Sequence, residues 1–427
     1  MKILIIGSGG REHAILWALR NTAKDLELFC APGNAGIAGC SKVVSIDVDD
    51  HSALARFVED ENIDLTFVGP EAPLVGGLVD FFEEKHLPIV GPTAAAARLE
   101  GSKVFAKDFM ARHGIPTAAY RVASSPKEAI EILQTGQFGS VDSPVVVKAD
   151  GLAAGKGVVV ARNRTEAETA IADLMINHSA GLQAAARVVL EETLLGSEAS
   201  VLLFADGKDF MLMPAARDHK RIGENDTGPN TGGMGTITDD TVLPAGVLNI
   251  VVEEMIEPTL AGAAAEGFPF KGILFLGLML TESGPKLLEY NVRFGDPETQ
   301  AILVRLKTDL SAIFEAMRLG ELAKLKSEWS DGASACVIAA NRGYPGKYEK
   351  GGVITGLDQV GNDVEVFHAG TSFSPEGKIV ATGGRVIGVT SKSSQLQGAL
   401  ANCYRAIDEI HWPGMQFRRD IGKVRGN

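Results

Sequence analysis

The sequence predicts a multidomain α/β and α+β protein, with a doubly wound parallel sheet at the N-terminus and a β-rich domain at the C-terminus. Three observations carry this. Buried-strand and helix patterns alternate through roughly the first 90 residues, the signature of a parallel sheet covered by helices. From Ala199 onward strand patterns dominate, and the last hundred residues are short strands punctuated by glycine. The chain has 427 residues, enough for about three domains.

The N-terminal unit reads as strand 2–6, helix 11–20, strand 26–30, helix 51–61, strand 65–68, helix 74–85 and a short strand 88–90. Turn glycines stand at the carboxyl ends of the strands: Gly7, Gly9 and Gly10 after the first, Gly69 before Pro70 and Glu71 after the third. Open α/β sheets bind ligands at those ends. A helical stretch, 94–113, carries Lys103. Strands at 143–148, 157–161 and 188–191, with a helix near 165–175, make a small α+β unit. Strands 199–204, 210–214, 272–281 and 285–292 come next, with a long helix at about 247–265 and two more at 298–306 and 309–319. A boundary is expected at 329–332. Beyond it lie strands 333–340, 364–369, 379–382 and 385–390 and one helix, 394–410.

Composition narrows the class. Hydrophobic residues make up 45% and charged residues 22%, the profile of a soluble globular protein. No run of about 20 apolar residues is present, so no membrane span is expected. The opening apolar run is too short for a signal peptide and leads straight into a glycine loop. Four cysteines without a CxxC pair read as free thiols in a reducing compartment, the cytoplasm. The net charge of −13 argues against nucleic acid as a partner, yet leaves room for a local basic pocket that takes phosphorylated small molecules.

Five stretches carry chemistry. In 287–298, LLEYNVRFGDPE, period-two alternation puts Glu289, Asn291 and Arg293 on one face and Tyr290, Val292 and Phe294 on the other. A carboxylate and an amide oxygen suit Mg²⁺, which leaves room for phosphate oxygens; a strand with a solvated polar face is the competing reading. Asp296 is expected to N-cap a helix that has Pro297 at its first position. The loop GSGGREH at 7–13 follows a strand and opens a helix, so its amides can hold a phosphate. It fails the dinucleotide fingerprint, because Glu12 stands where the third glycine belongs and no acid ends the second strand. The stretch VVVKADGLAAGKGVVV at 145–160 is a strand, a glycine loop and a strand. It is not a Walker loop, and fits a lid over phosphates with Lys148 as a point charge. Strand 188–191 ends in Glu191, Glu192 and, further on, Glu198; exposed backbone there can meet a purine edge. Finally, RDHKR at 217–221 leads to a glycine-rich loop at 228–235, a local cationic cluster that favours an anion. His219 reads as structural.

Together these motifs resemble the phosphoribosylamine–glycine ligase (glycinamide ribonucleotide synthetase) family of ATP-grasp enzymes, over essentially the whole chain. The most specific pieces are 7–14, 69–74, 146–158, 218–221 with 228–235, and 288–300. The resemblance implies an N-terminal phosphoribosyl-binding domain at 1–102, an ATP-grasp core at 103–121 and 193–328, a lid subdomain at 122–192 and a C-terminal domain at 329–427. It implies that Lys103 and Lys148 contact ATP, that the loop with Gly151, Gly155, Lys156 and Gly157 covers its phosphates, that Glu191 to Leu194 hold adenine and that Glu198 takes the ribose. Glu289 and Asn291 would bind Mg²⁺ or Mn²⁺. Arg293, Asp218 and the loop with Gly232 and Gly233 would surround glycine and an acyl phosphate, with Arg293 and Asp218 in catalytic roles. Gly9, Gly10 and Glu71 would meet the phosphoribosyl group. The implied reaction joins glycine to 5-phosphoribosylamine through glycyl phosphate, giving glycinamide ribonucleotide, ADP and phosphate in purine synthesis, by a monomer or weak homo-oligomer with no nucleic-acid or membrane partner. The sequence departs from related enzymes in two places. Strand 274–280 offers no carboxylate opposite Glu289, and the run 340–345, ANRGYP, is unusually polar. Two rivals are a relative that uses formate or bicarbonate and a nicotinamide oxidoreductase, the latter disfavoured by Glu12.

Overall fold

The structure is a computed structural model that describes residues 1–153, 157–179, 181, 184 and 186–423. Two residues expected in the site, Gly155 and Lys156, lie outside the described residues.

The N-terminal unit is a five-stranded parallel sheet in the spatial order Lys42–Val43, Glu27–Pro32, Lys2–Gly7, Leu65–Val68, Ile89–Val90. Ile3 to Ile6 are wholly buried. Helices cover both faces of such a sheet, so its strands read as unbroken apolar runs rather than alternating ones. The strand order reverses between Lys2–Gly7 and Leu65–Val68. That switch point brings the loop after Gly7 beside the loop after Val68 and opens a crevice at the strand ends.

The central sheet is antiparallel, in the order Phe210–Leu212, Ser197–Asp206, Lys271–Thr281, Gly284–Asn291. Its alternate residues feed two cores. Val201, Leu203, Leu274 and Leu276 join Tyr290, Val292 and the N-terminal residues Leu4 and Val68. Leu202, Phe204, Ile273 and Phe275 join Phe67, Phe294 and Phe314. Burial on both faces thus fuses this sheet to the N-terminal unit, and the Phe67 and Phe314 rings stack at 4.3 Å between centroids.

Residues 120–192 form a separate four-stranded antiparallel sheet, Tyr120–Ala123, Val188–Glu192, Val145–Ala149, Val158–Ala161, with its own core. Helices Pro126–Gln134 and Arg164–Met175 cover it, capped by the side chains of Ser125 and Asn163. The sequence reading gives no strand at Tyr120–Ala123 and no helix at Pro126–Gln134, although Ser125, Pro126 and Glu128 are start signals for that helix. One expectation fails for a local reason. The helix expected at 94–113 breaks at Ser102, whose hydroxyl accepts from Phe105 N–H and caps a second helix, Lys103–Arg112. The helix at 247–265 passes through a π-turn, Val252–Ile256, before Glu257–Ala265. Pro258, which lacks an N–H, sits at the join.

The C-terminal sheet runs Arg217–Asp218, Gly235–Thr238, Ala333–Asn341, Arg385–Ser393, Glu365–His368, with helix Leu396–Ile407 packed on it. All nine residues of Ala333–Asn341 are buried. Strands Arg217–Asp218 and Gly235–Thr238, grouped by sequence with the core, therefore hydrogen-bond into the C-terminal sheet.

Candidate active site

The four units enclose a cleft of about 700 Å³. Its floor is the exit of strand Gly284–Asn291. A bulge places Gly277 opposite Glu289 but Leu278 opposite Leu287, which leaves Leu288 as the extra residue and re-aims the strand beyond it. There Glu289, Asn291 and Arg293 line the cleft, while Tyr290, Val292 and Phe294 sink into the core. Burial by itself raises the Glu289 carboxyl pKa. Lys220, Lys103, Lys148 and Arg293 outweigh it and hold the pKa down to about 2. Asn291 Oδ1 accepts from Arg293 Nη2 at 3.1 Å and keeps a second lone pair. Among the described residues no cluster of three His, Cys, Asp or Glu side chains could hold a metal alone. An ionised carboxylate beside one amide oxygen does fit Mg²⁺ that draws its other oxygens from phosphate and water.

The nucleotide end is built on lysines. Lys103 and Lys148 line the cleft. Lys148 Nζ lies 2.9 Å from Glu191 Oε2 and donates to the Leu288 carbonyl at 3.2 Å. Lys107 Nζ reaches the same Glu191 oxygen at 3.2 Å and donates to Thr117 Oγ1 at 2.7 Å. Burial, and then the charge of Lys148, push the Lys107 pKa down to about 8. Glu191 lies in the strand whose end is expected to meet a purine edge. Its side chain is buried and pairs with both lysines through Oε2, while its other oxygen, Oε1, is buried and has no partner among the described residues. An orphaned acceptor there fits the exocyclic amine of a purine. Thr193 and Leu194 continue this wall, and Glu198 faces Lys220 at 3.2 Å. Burial costs Lys220 less than Glu198 contributes, so its pKa is raised.

The lid loop is pinned at its base. Asp150 accepts from Ser102 Oγ, Val104 N–H and the Arg187 guanidinium. Gly157 lines the cleft, but Gly151 packs elsewhere: an added Cβ would meet Ala184 Cα at 2.9 Å.

At the opposite end the glycines behave differently from expectation. The Gly9 N–H donates to Glu12 Oε2 at 2.6 Å, and Arg11 Nε donates to Glu12 Oε1 at 2.6 Å. A Cβ on Gly7 would meet Glu12 at 2.6 Å and one on Gly69 at 2.0 Å. Glu12 thus fills the loop that a dinucleotide phosphate would occupy. Gly10 is buried against Gln300. Neither Gly9 nor Gly10 lines the cleft; Arg11, Pro70 and Glu71 do. Burial raises the Glu71 pKa, and Arg293 and Arg11 override it, down to about 2. Arg293 is no free clamp either. Glu71 at 3.3 Å, Glu100 at 2.9 Å, Asn291 and the Phe294 carbonyl already surround its guanidinium.

Between these ends stand two carboxyls, the half-buried Asp218 and the buried Glu298. Burial and then Glu298 drive the Asp218 pKa well up, and burial raises Glu298. Burial, joined at Asp218 by the charge of Glu298, thus favours the protonated forms. His219 is structural: its Nε2 accepts from Gly422 N–H at 3.0 Å, so Nδ1 carries the proton and donates to the Gly235 carbonyl at 3.1 Å. Gly232 lines the cleft, but its N–H is taken by Tyr344 Oη and that of Gly233 by Thr231 Oγ1. Gly233, with φ +112°, lies outside the lining, and a Cβ there would meet Pro297 at 2.5 Å and Asp218 at 2.7 Å. Asp296 does not cap the helix Glu298–Leu303. Its two oxygens accept from Gln300 and Arg385 instead, and Pro297 takes the cap position.

Sequence reasoning missed Lys107, Glu100, Glu298, Tyr344 and Arg385. Lys107 was findable, since it comes four residues after Lys103 on one helix face. Tyr344 lies in the unusually polar run 340–345, whereas Arg385 carries no local signal.

Three family models match the chain: phosphoribosylglycinamide synthetase N domain over residues 1–100, its ATP-grasp (A) domain over 101–299 and its C domain over 334–424. The chain is 46% identical over 422 residues to the phosphoribosylamine–glycine ligase of Agrobacterium fabrum, covering 99% of this chain and 98% of that one. It is 48% identical over 426 residues to the enzyme of that name from Vibrio cholerae, with coverage of 99% and 98%. The crystal structure of phosphoribosylamine–glycine ligase from Thermotoga maritima superposes with a TM-score of 0.84 at 34% identity, covering 98% of this chain and 100% of that one. A biotin carboxylase from Campylobacter jejuni, at 15% identity and a TM-score of 0.73 over 98% of this chain and 93% of that one, shares the fold alone.

Proposed function

The chain belongs to the phosphoribosylglycinamide synthetase family and is an ATP-dependent ligase that joins glycine to phosphoribosylamine in purine biosynthesis; we propose that it does so through glycyl phosphate formed in the cleft. The observation that carries this reading is the ionised Glu289 carboxylate, which sits among Lys103, Lys148, Lys220 and Arg293 inside the cleft. Such a site gathers phosphate charge by fixed groups rather than by a covalent nucleophile.

When bound there, Mg²⁺ or Mn²⁺ would be held by Glu289 and Asn291 and would neutralise and orient phosphate oxygens. The lysines fix the polyphosphate, Glu191 Oε1 and the wall to Leu194 receive the base, and Glu198 the ribose. The carboxyl oxygens of Asp218 and Glu298 accept hydrogen bonds from the ammonium of glycine. Glycine's carboxylate oxygen attacks the γ-phosphorus of ATP; the new O–P bond forms as the bridging P–O bond breaks, and ADP leaves. The phosphoribosylamine nitrogen, held from the side of Arg11 and Glu71, then attacks the carbonyl carbon; the C–N bond forms, the C–O bond to phosphate breaks, and phosphate leaves with the amine's proton. Arg293 orders Glu71, Glu100 and Asn291 around these reactants. Enclosure by the lid protects the acyl phosphate from water.

The test is ADP release that requires both glycine and freshly made phosphoribosylamine. Release supported equally by formate or bicarbonate would overturn the assignment of the acid. Among the described residues no helix is long and apolar enough to cross a membrane. The four cysteines are free thiols, which supports a cytoplasmic protein; we take it to act as a monomer or weak homo-oligomer, to be checked by sedimentation.

A further inference from the structure

Arg385 comes from the C-terminal sheet yet lines the cleft. It opens strand Arg385–Ser393, where Ala339 faces Ile387 but Ala340 faces Arg385. Val386 is therefore a bulge residue, and the bulge turns Arg385 out of the sheet. Its Nη1 donates to the carbonyls of Gly232 and Asp296, each at 2.6 Å, and its Nη2 to Asp296 Oδ2 at 2.9 Å. Gln300 Nε2 holds the other Asp296 oxygen at 2.7 Å. Tyr344, also C-terminal, accepts from the Gly232 N–H at 3.0 Å. The loop is thus gripped at its amide and its carbonyl from one domain.

These two grips lead to Asp218 and Glu298. Gly233 stands next to Gly232 and packs on Asp218 too closely for a Cβ. Asp296 precedes Glu298 by two residues. Nothing in the grip touches Lys103, Lys148 or Glu191, which lie on the core and lid. We propose that Arg385 is a positioning residue for glycine: it fastens the C-terminal domain to Gly232 and Asp296 and thereby sets the spacing of Asp218 and Glu298. The proposal rests on the reading of the cleft given above.

Kinetics with each of the three substrates varied in turn test it, on Arg385→Ala, Arg385→Lys, Asp296→Asn and the double variant Arg385→Ala/Asp296→Asn. Arg385→Ala raises the KM for glycine about tenfold or more, the size of a lost charge-assisted hydrogen bond, and leaves the KM for ATP within about twofold. Arg385→Lys recovers part of the loss, since it keeps the charge but not the fork. The double variant is no worse than Arg385→Ala alone, because both changes cut one link. Equal rises in all three KM values, additive losses in the double variant, or unchanged glycine kinetics in Arg385→Ala would each overturn it. Failure of the unsubstituted enzyme to release ADP with glycine and phosphoribosylamine would instead strike the reading of the cleft itself.

Discussion

Lys148 Nζ stands 2.9 Å from Glu191 Oε2 with both side chains buried. Lys107 shares that oxygen, so one carboxylate serves two cations in a nearly dry site. Removing the shared charge while leaving the lysines is more costly than removing the whole group.

Glu191→Gln is accordingly expected to destabilise the protein by about 3–5 kcal/mol and to weaken binding of a non-hydrolysable ATP analogue. Thermal unfolding and calorimetric titration check this. Adding Lys107→Met should return part of the stability, since only one lysine then lacks a counter-charge. An unchanged melting curve in Glu191→Gln would show that water already screens the cluster.

Glu289→Gln keeps the shape of the strand exit and removes the charge that four cations stabilise. Turnover should fall by at least about 100-fold, with a higher Mg²⁺ concentration needed for half-maximal rate. Circular dichroism should remain that of the folded protein. A variant with the original metal response would sink the assignment of Glu289 as a ligand.

Arg293→Ala has two effects that can be separated. It removes a cation from the cleft, and it strands Glu100, which burial already pushes toward the neutral form. We expect a loss of glycine-dependent turnover together with destabilisation of about 3 kcal/mol or more. Arg293→Ala/Glu100→Gln should regain stability without regaining turnover. Recovery of both would mean that Arg293 matters only as a structural counter-charge.

A pH effect resides where the N- and C-terminal units meet. His368 N–H donates to His13 Nδ1 at 2.8 Å, so His13 is neutral at that nitrogen. Burial, then His368, lowers the His13 pKa to about 3, and burial lowers that of His368 to about 4. Their ordinary value is 6.5. Between these limits the unfolded chain binds more protons than the native one, so stability falls as pH drops below 6.5. By about pH 5 each imidazole should contribute up to about 2 kcal/mol of lost stability. Melting temperatures from about pH 7 to about pH 5 should fall less steeply in His13→Gln; parallel slopes would exclude this origin.

Local periodicity sufficed for the layering of the N-terminal unit and for the face shared by Glu289, Asn291 and Arg293. Strands covered on both faces read as apolar runs, and a strand side chain's direction is set by its neighbours. Glu12 in place of a third glycine was likewise legible as a break in the dinucleotide pattern. Which groups remain available was settled by tertiary packing. It gave the Gly232 N–H to Tyr344 and two Glu191 contacts to lysines. Arg385 reaches partners 153 and 89 residues away along the chain, beyond any local pattern. Whether a polar atom is free to meet a ligand depends on every group folded against it, and most of those groups are distant in sequence.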